Sequence, residues 1–439
     1  METAVHKRWT DVWPLTEAFI KQEGLVRQHL NSYNYFVDRG LQEIINEVGG
    51  IEIEAGTKYK IKFGKVDIGK PKIVEVDGSD HEVYPTEARI RNLSYAAPLQ
   101  LEMWVERDGR KSSALDYVYI GDIPIMVKSK KCRLSEMTEE ELLTAGEDPK
   151  DPGGYFIING SERVVVALED LAPNRILVDV DETGTAVTYK AKVFSTTIGF
   201  RARIEVKMKT DGSLHVSIPG VVVDIPLVIL MKALGMERDD EIAKAVSLRR
   251  EVQDLLDASF NAAEGVIKIP DAILYLGNRV AFGQIEEYRR LRAETVLDRN
   301  FLPHVGRTSD KRIQKAHYLA EIANRLIELK LGSRQRDDKD HYANKRLKLA
   351  GGLLADLFRV TFRNLCSDMK YQLERTSLKR VGAIGAINAA VRPGIITERI
   401  QHALATGNWG RGKVGITQLL DRTNYISTLS HLRRLQSPL

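Results

Sequence analysis

The sequence predicts a multidomain α+β protein, and three observations lead to this prediction. The chain has 439 residues, whereas a single hydrophobic core rarely grows beyond roughly 250 to 300 residues. Helical spacing of apolar residues and strand-like alternation occur in long separate stretches. Apolar residues make up 43% of the chain and charged residues 28%, which is ordinary for a globular protein. We therefore expect two or three cores.

The first third of the chain predicts helices followed by a sheet. Apolar residues between 15 and 48 recur at near-helical spacing, and Gly49 and Gly50 close this stretch. Two or three helices are expected there. From 51 to 128 apolar and polar residues alternate, as in "PLQLEMWVE", and Gly, Asp and Pro mark the turns. We expect these strands to form a sheet that packs against the opening helices.

The middle of the chain predicts a hairpin and then a second α+β module. "TEEELLTAG" has the acidic start of a helix, and "YFIIN" and "ERVVVAL" flank Gly160–Ser161 as two strands around a tight turn. Alternating runs between 175 and 225 predict an antiparallel sheet, and helical patterns dominate from 226 to 300. No polar linker separates these two stretches, so we expect one module.

A long helix pair is predicted next, over 308–331 and 341–365. On the second helix His341, Lys345 and Lys348 would share one face. The favoured explanation is a solvated face, paired with acids of the preceding connector. Those acids are Asp337, Asp338 and Asp340.

Composition excludes several classes of protein. The N-terminal segment lacks an apolar signal region, and charged residues and Pro interrupt the most apolar window, so neither export nor a membrane span is predicted. The two cysteines, Cys132 and Cys366, are too far apart in sequence to form a C-x-x-C zinc half-site. We expect the chain in a reducing cytoplasm.

Positive charge is concentrated at the C-terminal end. The chain has a net charge of +5, yet residues 371–439 contain ten Lys or Arg against three Asp or Glu. This end is a candidate surface for a polyanion. A solvated basic face on a structural domain is the alternative, and charge alone does not decide between them.

The segment 407–413, "GNWGRGK", has the spacing of a phosphate-binding loop but lacks two of its requirements. Val414 stands where such a loop needs Ser or Thr to bind magnesium. The preceding "ITERIQHALAT" predicts an amphipathic helix, where such a loop follows a strand. A free-standing nucleotide hydrolase is therefore disfavoured, and another role is needed for this glycine-rich, cationic loop with its exposed-looking Trp409.

The sequence contains no recognisable catalytic or metal site. No H-x-x-x-H or H-E-x-x-H pair, G-x-S-x-G elbow or D-x-D cluster in a glycine-rich loop is present. We therefore assign no catalytic residue and no cofactor. The C-terminal segment instead combines glycines, cations, neutral donors and the aromatic residues Trp409 and Tyr425. This combination suits contact with phosphates and sugars.

Several long motifs resemble one protein family. They are "GLVRQHLNSYNYFVDRGL" near the start, "GYFIINGSERVVVA" (154–167), "DDKDHYANKRLKLAGGLLADLF" (337–358), "ALATGNWG" (403–410) and "GITQLLDRTNYISTLSHLRRLQSPL" (415–439). Together they resemble the second-largest subunit of multisubunit DNA-directed RNA polymerases, most closely the archaeal form, including the form whose gene is split in two. The resemblance covers nearly the whole chain.

The resemblance implies a domain organisation. It predicts the first part of the protrusion over 1–175, the lobe over 176–340, the returning protrusion over 341–402 and the start of the fork over 403–439. "GNWGRGKVG" is similar to the first fork loop, which in this family lies near the RNA–DNA hybrid. The family normally continues past "SPL" with a glycine–arginine–aspartate sequence, so a fragment of a longer subunit is expected.

Bacterial relatives bind rifamycin inhibitors in the region similar to 418–434. Four positions of this chain match that region, but Leu419 replaces an aromatic residue, so drug sensitivity does not follow. The matching positions are Gln418, Asp421, His431 and Arg434.

The resemblance also implies which parts of the polymerase contain the catalytic and metal-binding residues. The family's catalytic aspartates belong to the largest subunit, which would bind most of the Mg in the complete enzyme. The zinc site and active-centre lysines of the second-largest subunit lie further toward its C-terminus. This chain is therefore expected to be a non-catalytic part of a nucleotidyltransferase, without a complete active site. The implied partners are the other polymerase subunits, including the largest, the remainder of the second-largest one, template DNA and the RNA–DNA hybrid, with no membrane.

Six residues are predicted to contact nucleic acid. Arg433 and Arg434 come first. The full set is Arg411, Lys413, Gln418, Arg422, Arg433 and Arg434. The competing hypothesis is a structural module whose basic C-terminal segment docks other protein subunits, because Arg and aromatic residues also favour protein interfaces.

Overall fold

A computed structural model describes most of the chain. The described residues are 12–55, 57–75, 78–107, 110–183, 186–197, 200–375, 384–410 and 414–437. The chain divides into two compact units. The discontinuous unit contains the chain up to Asp170 and from Leu347 onward, and the inserted unit is Leu171–Arg346. Helices and antiparallel sheets occur in both units, which confirms the predicted multidomain α+β fold. The protrusion, lobe and fork names and boundaries remain predictions.

The discontinuous unit begins with helices, as predicted. They are α1 (Trp13–Glu23), α2 (Arg27–Tyr35) and α3 (Leu41–Val48), with a π-helical turn at Phe36–Gly40 between α2 and α3. Helix α3 ends at Gly49, whose left-handed backbone, with φ of 69°, is a common way to stop a helix. Two short helices follow later, α4 (Pro85–Ile90) and α5 (Glu139–Thr144).

A four-stranded antiparallel sheet follows the first helices. Its strands, in spatial order, are β1 (Ile51–Ala55), β2 (Thr57–Ile68), β5 (Ala96–Arg107) and β6 (Arg110–Pro124). The short strands β3 (Lys72–Val74) and β4 (Asp80–Glu82) pair separately. In β5 every second residue is fully buried, as Leu99, Leu101 and Met103 show. This period of two is the alternation that predicted the sheet.

The long helix α13 (Ala350–Arg375) packs closely on α2. A Cβ atom at Gly351 would lie only 1.9 Å from the backbone oxygen of Ser32, and the Gly351 N–H donates to Ser32 Oγ at 3.1 Å. Phe358 stacks on Phe362 with ring centroids 5.6 Å apart, and its edge meets Phe36 at 6.4 Å. Helix α13 therefore meets α2 at a glycine, and its aromatic residues pack against Phe36 of the π-helical turn that follows α2.

Residues 341–348 do not form an α-helix, and the prediction of a long helix beginning at 341 is wrong for this part. Tyr342–Asn344 form a 3₁₀ turn and β15 (Lys345–Lys348) is a strand. The last two residues of β15, in the discontinuous unit, belong to the same sheet as β9 (Ala167–Leu171). Strand pairing outweighs local helical spacing here, because tertiary context overrides weak propensities.

The cationic residues of this stretch consequently do not line one helix face. Lys345 pairs with Asp340 at 3.5 Å, and Lys348 pairs with Asp170 at 3.2 Å and with Asp356 at 3.4 Å. Ion pairing of these lysines was expected, but only Lys345 pairs with one of the three predicted acids.

The inserted unit is a five-stranded antiparallel sheet covered by helices, as predicted. Its strands, in spatial order, are β10 (Ile176–Thr183), β11 (Ala186–Thr197), β12 (Phe200–Met208), β13 (Leu214–Ser217) and β14 (Ile225–Pro226). Its helices are α6 (Leu227–Ala233), α7 (Asp239–Val246), α8 (Arg250–Asp254), α9 (Asp257–Asn261), α10 (Ile269–Val280), α11 (Glu286–Thr295) and α12 (Arg312–Lys330). Leu319, Ile322 and Leu326 of α12 are fully buried in the core of this unit.

The predicted hairpin is confirmed, with its turn one residue earlier than expected. Strands β7 (Phe156–Ile158) and β8 (Ser161–Val165) are joined by Asn159 and Gly160, whose φ angles are 48° and 74°. Two consecutive positive φ angles are typical of a two-residue type I′ turn, for which Asn-Gly is the preferred pair. Ser161 pairs with Ile158 and so belongs to the strand.

Three further properties concern the described part of the chain as a whole. No helix there is long and apolar enough to cross a membrane. No group of three or more His, Cys, Asp or Glu side chains there could hold a metal ion. Cys132 and Cys366 are both free and buried, and burial raises the pKa of each thiol. The expected cytoplasmic location stays a prediction.

Candidate nucleic-acid interface

The basic C-terminal segment, of which residues 414–437 are described, is held by strand pairing near each end. Strand β16 (Thr417–Leu419) pairs antiparallel with β8, placing Gln418 opposite Val164. Strand β17 (Leu435–Gln436) pairs in parallel with β9. Helix α16 (Tyr425–Leu432) connects the two strands. The segment is therefore part of the folded discontinuous unit rather than a loose tail.

A helix leads into the cationic loop, as predicted from "ITERIQHALAT". The short helix α14 (Ile384–Ala390) precedes helix α15 (Gly394–Thr406), which ends at Gly407, whose φ is 75°. A Cβ atom at Gly407 would lie 2.6 Å from the backbone oxygen of Thr417, so the start of β16 leaves room for glycine only. The predicted contacts Arg411 and Lys413 lie outside the described residues.

Trp409 is anchored in the protein, and the expectation of an exposed tryptophan is wrong. Its indole is partly buried and packs against the core of the discontinuous unit. The indole Nε1–H donates to Thr417 Oγ1 at 2.9 Å. A large apolar ring gains more from burial than from exposure when its one polar group finds a partner.

Gln418 is oriented by His431. The backbone N–H of Asp421 donates to His431 Nδ1 at 3.1 Å, so the proton of the neutral imidazole is on Nε2, which donates to Gln418 Oε1 at 3.0 Å. The Gln418 amide nitrogen in turn donates to the Gly415 oxygen at 3.2 Å. Burial, together with the nearby Arg434 charge, lowers the pKa of His431. Both ends of the Gln418 amide are thus used within the protein.

Asp421 organises the turn before α16. Its Oδ1 accepts hydrogen bonds from the Thr423 backbone at 2.9 Å and hydroxyl at 2.7 Å, and its Oδ2 accepts from Ser427 Oγ at 2.5 Å. These donors stabilise the carboxylate and lower the pKa of Asp421 to about 2. The Asn424 side chain accepts from the Ser427 N–H at 2.8 Å and caps α16.

Arg422 is paired with carboxylates. Its Nε donates to Glu162 Oε2 at 2.6 Å, and its Nη2 donates to Glu162 Oε1 at 2.8 Å and to Asp151 Oδ2 at 2.9 Å. The guanidinium also lies over the Tyr155 ring, 4.9 Å from the centroid. These contacts occupy the cation within the protein and favour a structural role for it.

The partners of Arg422 belong to a larger ionic network. Arg89 of α4 donates to Glu162 Oε1 at 2.8 Å and to Glu147 Oε2 at 3.1 Å. Glu147 is buried. We call the five charged side chains that meet here the ionic network: Arg89, Glu147, Asp151, Glu162 and Arg422. It connects the C-terminal segment to the hairpin and to α4.

Arg433 and Arg434 are both exposed, and of the two only Arg433 has a hydrogen-bond partner for its side chain among the described residues. Arg433 Nη1 donates to the Leu25 backbone oxygen at 2.8 Å. In the same region His29 Nε2 donates to the Leu432 backbone oxygen at 2.6 Å. This hydrogen bond joins helix α2 to the end of helix α16. No side-chain hydrogen bond or ion pair of Arg434 occurs in the described part of the chain.

Four of the six predicted contact residues can therefore be located. They lie on one segment, yet Gln418 and Arg422 are held within the protein and Arg433 is tethered through one nitrogen. Among these four residues, Arg434 alone presents an exposed guanidinium for which the described part of the chain supplies no partner. No local pattern pointed to the carboxylates that hold Arg422, because Asp151 and Glu162 lie far away in the chain.

The chain belongs to the RNA polymerase beta subunit family, whose model matches residues 24–398. Archaeal relatives are similar over nearly the whole chain. It is 52% identical over 427 residues to DNA-directed RNA polymerase subunit Rpo2 of Saccharolobus shibatae, covering 97% of this chain and 38% of that protein.

Shorter archaeal relatives are covered more completely. The chain is 51% identical over 431 residues to subunit Rpo2N of Methanococcus vannielii and 49% identical over 431 residues to that of Methanocaldococcus jannaschii. Each match covers 97% of this chain and 86% of the relative. The predicted resemblance to the N-terminal part of the second-largest subunit is confirmed. The chain spans well under half of the Rpo2 proteins, at 38%.

Proposed function

We propose that this chain positions nucleic acid in an archaeal-type DNA-directed RNA polymerase, without supplying catalytic groups. Its partners would be the other subunits, the remainder of the second-largest one, template DNA and the RNA–DNA hybrid. The catalytic Mg would be bound mainly by the largest subunit. This proposal rests on family membership and on the names of the archaeal relatives.

The observation that carries the nucleic-acid contact is the exposed guanidinium of Arg434, which has no partner among the described residues. It follows a helix whose first turn is capped by Asn424 and whose flanking strand is paired with β8. A cation on a rigid support loses little conformational freedom when it meets a phosphate, and Arg matches phosphate geometry well. Arg433, Arg411 and Lys413 are proposed as further contacts. Gln418 and Arg422 would act mainly by holding the segment in place.

A photo-cross-linking experiment tests this function and separates it from protein docking. Arg434 would be replaced by a photoreactive amino acid in a polymerase assembled from this chain and the remaining subunits, on a scaffold with labelled DNA and RNA. We expect an adduct with nucleic acid. Arg250, exposed on α8, serves as the control position and should give none. An adduct with protein subunits alone would support the docking hypothesis instead.

A further inference from the structure

An open groove lies between α4 and α5, away from the C-terminal segment. Its volume is about 820 Å³. The residues that line it include Tyr84, Glu87, Ile90, Arg91, Met137 and Glu140. All of them belong to the discontinuous unit, and none of the residues predicted to contact nucleic acid is among them.

The floor of the groove is apolar, and one aliphatic residue stands open at its side. Tyr84 and Met137 are partly buried and pack against the core. Ile90, the last residue of α4, remains 75% exposed. When a partner covers an exposed aliphatic side chain beside an apolar floor, the removal of its surface from water lowers the free energy of the complex.

The rim of the groove is acidic. Glu140 is exposed, and no ion pair of its carboxylate occurs among the described residues. The one lining cation, Arg91, is already neutralised by Glu75 at 2.8 Å and by Glu87 at 2.7 Å. Glu141, which also lines the groove on α5, adds a further exposed carboxylate. The rim therefore favours a positively charged partner.

Both walls are fixed before any partner arrives. Helix α5 begins with a capping box, in which Thr138 Oγ1 accepts from the Glu141 N–H and the Glu141 carboxylate accepts from the Thr138 N–H. Glu147, after α5, accepts from the Thr86 N–H at 2.6 Å and pairs with Arg89 of α4 at 3.1 Å. A preformed groove costs a partner little reorganisation.

We infer that this groove binds a basic amphipathic segment of another protein. Apolar side chains of that segment would cover Ile90 and the floor, while its Lys or Arg residues would face Glu140 and the acidic rim. A second copy of this chain is disfavoured as the occupant, because two-fold pairing of one acidic rim with itself would bring like charges together. The inference does not depend on the proposed nucleic-acid contact.

The inference is tested with three short fluorescent peptides and the full chain. The first peptide has Leu at helical spacing with Lys between, the second has Ser in place of Leu, and the third has Glu in place of Lys. Fluorescence anisotropy should show binding of the first alone. Ile90→Ser and Glu140→Lys should each weaken that binding roughly tenfold, because each removes a contact or adds a repulsion of about that size.

Two neighbouring positions outside the groove lining supply matched controls. Leu143→Ser removes another exposed aliphatic side chain from α5, and Glu139→Lys makes the same charge change one residue away. Both should leave binding within about twofold, and circular dichroism should show that all four variants are folded. Equal binding of the three peptides, equal loss in the control variants, or a dimer of the free chain that Ile90→Ser dissolves would overturn the inference.

Discussion

The guanidinium of Arg422 and the carboxylate of Glu162 form a two-pronged ion pair between residues 260 positions apart, with N–O distances of 2.6 and 2.8 Å. This pair ties the turn before α16 to strand β8 of the hairpin. The C-terminal segment therefore contains two kinds of arginine, which net charge alone does not distinguish. Arg422 is held by carboxylates within the protein, whereas Arg434 is exposed and unpaired in the described part of the chain.

Loss of the Arg422 ion pair should loosen the C-terminal segment. In Arg422→Gln we expect local opening of residues 417–432 to become easier by about 1 to 2 kcal/mol, because carboxylates of the ionic network lose their partner but stay partly hydrated. Hydrogen–deuterium exchange should show protection of these amides falling roughly tenfold. Arg434→Gln is the matched control and should leave their exchange unchanged. Equal protection in both variants would contradict the tethering role.

The contact of α13 with α2 should tolerate no side chain at Gly351. Gly351→Ala places a methyl group against the Ser32 backbone oxygen, and moving the helices apart should cost roughly 1 to 3 kcal/mol or more. Gly352 is the control, because a Cβ atom there meets nothing within 4 Å. Gly352→Ala should be neutral or stabilising by up to about 1 kcal/mol, since Ala favours helices. Thermal melting distinguishes the two variants. Similar melting temperatures for Gly351→Ala and Gly352→Ala would contradict the close packing of α13 on α2.

Acid should weaken the hydrogen-bonded contact between His29 and the Leu432 backbone oxygen. Burial lowers the pKa of His29 below its ordinary value of 6.5. Its buried Nδ1 has no partner among the described residues that could accept a hydrogen bond from Nδ1–H if the ring were protonated. The unfolded chain then binds more protons than the folded chain as pH falls below about 6.5, so the His29 contribution is present above that pH and lost below it.

His29→Gln isolates this contribution, because Gln can still donate to the Leu432 oxygen but does not titrate. Thermal melting of both proteins between about pH 7.5 and 5.5 should show a smaller loss of stability in the variant. Other histidines whose pKa is lowered by desolvation, such as His215 and His304, titrate alike in both proteins and cancel in the comparison. Parallel pH profiles would exclude His29 as a source of acid sensitivity.

The spacing of apolar residues along the sequence predicted most of the fold, because this spacing indicates which face of a helix or strand is buried. Alternation in β5 and helical spacing in α12 both correspond to fully buried residues. The same signal misled over 345–348, where "KRLK" continues a helical pattern but forms a strand. Pairing with a distant strand decided the conformation, and a local pattern contains no information about that strand.

The candidate site was harder to predict than the fold because its contacts join distant parts of the sequence. Counting cations located the basic segment correctly, yet Arg422 has its partners at Asp151 and Glu162. Trp409 looked exposed beside glycines, but Thr417 on the following strand accepts its N–H. Net charge describes a surface only after the internal ion pairs have been subtracted.

The salt dependence of polymerase complexes tests the central claim most directly. Stability of complexes on a DNA–RNA scaffold would be measured against salt concentration for Arg434→Gln, Arg433→Ala plus Arg434→Ala, and Arg422→Gln. A lost phosphate contact lowers the log–log slope by about 0.7 to 0.9. We predict this decrease for Arg434→Gln, a decrease at least as large for the double variant, and no change for Arg422→Gln. An unchanged slope for Arg434→Gln, or an equal decrease for Arg422→Gln, would contradict the account.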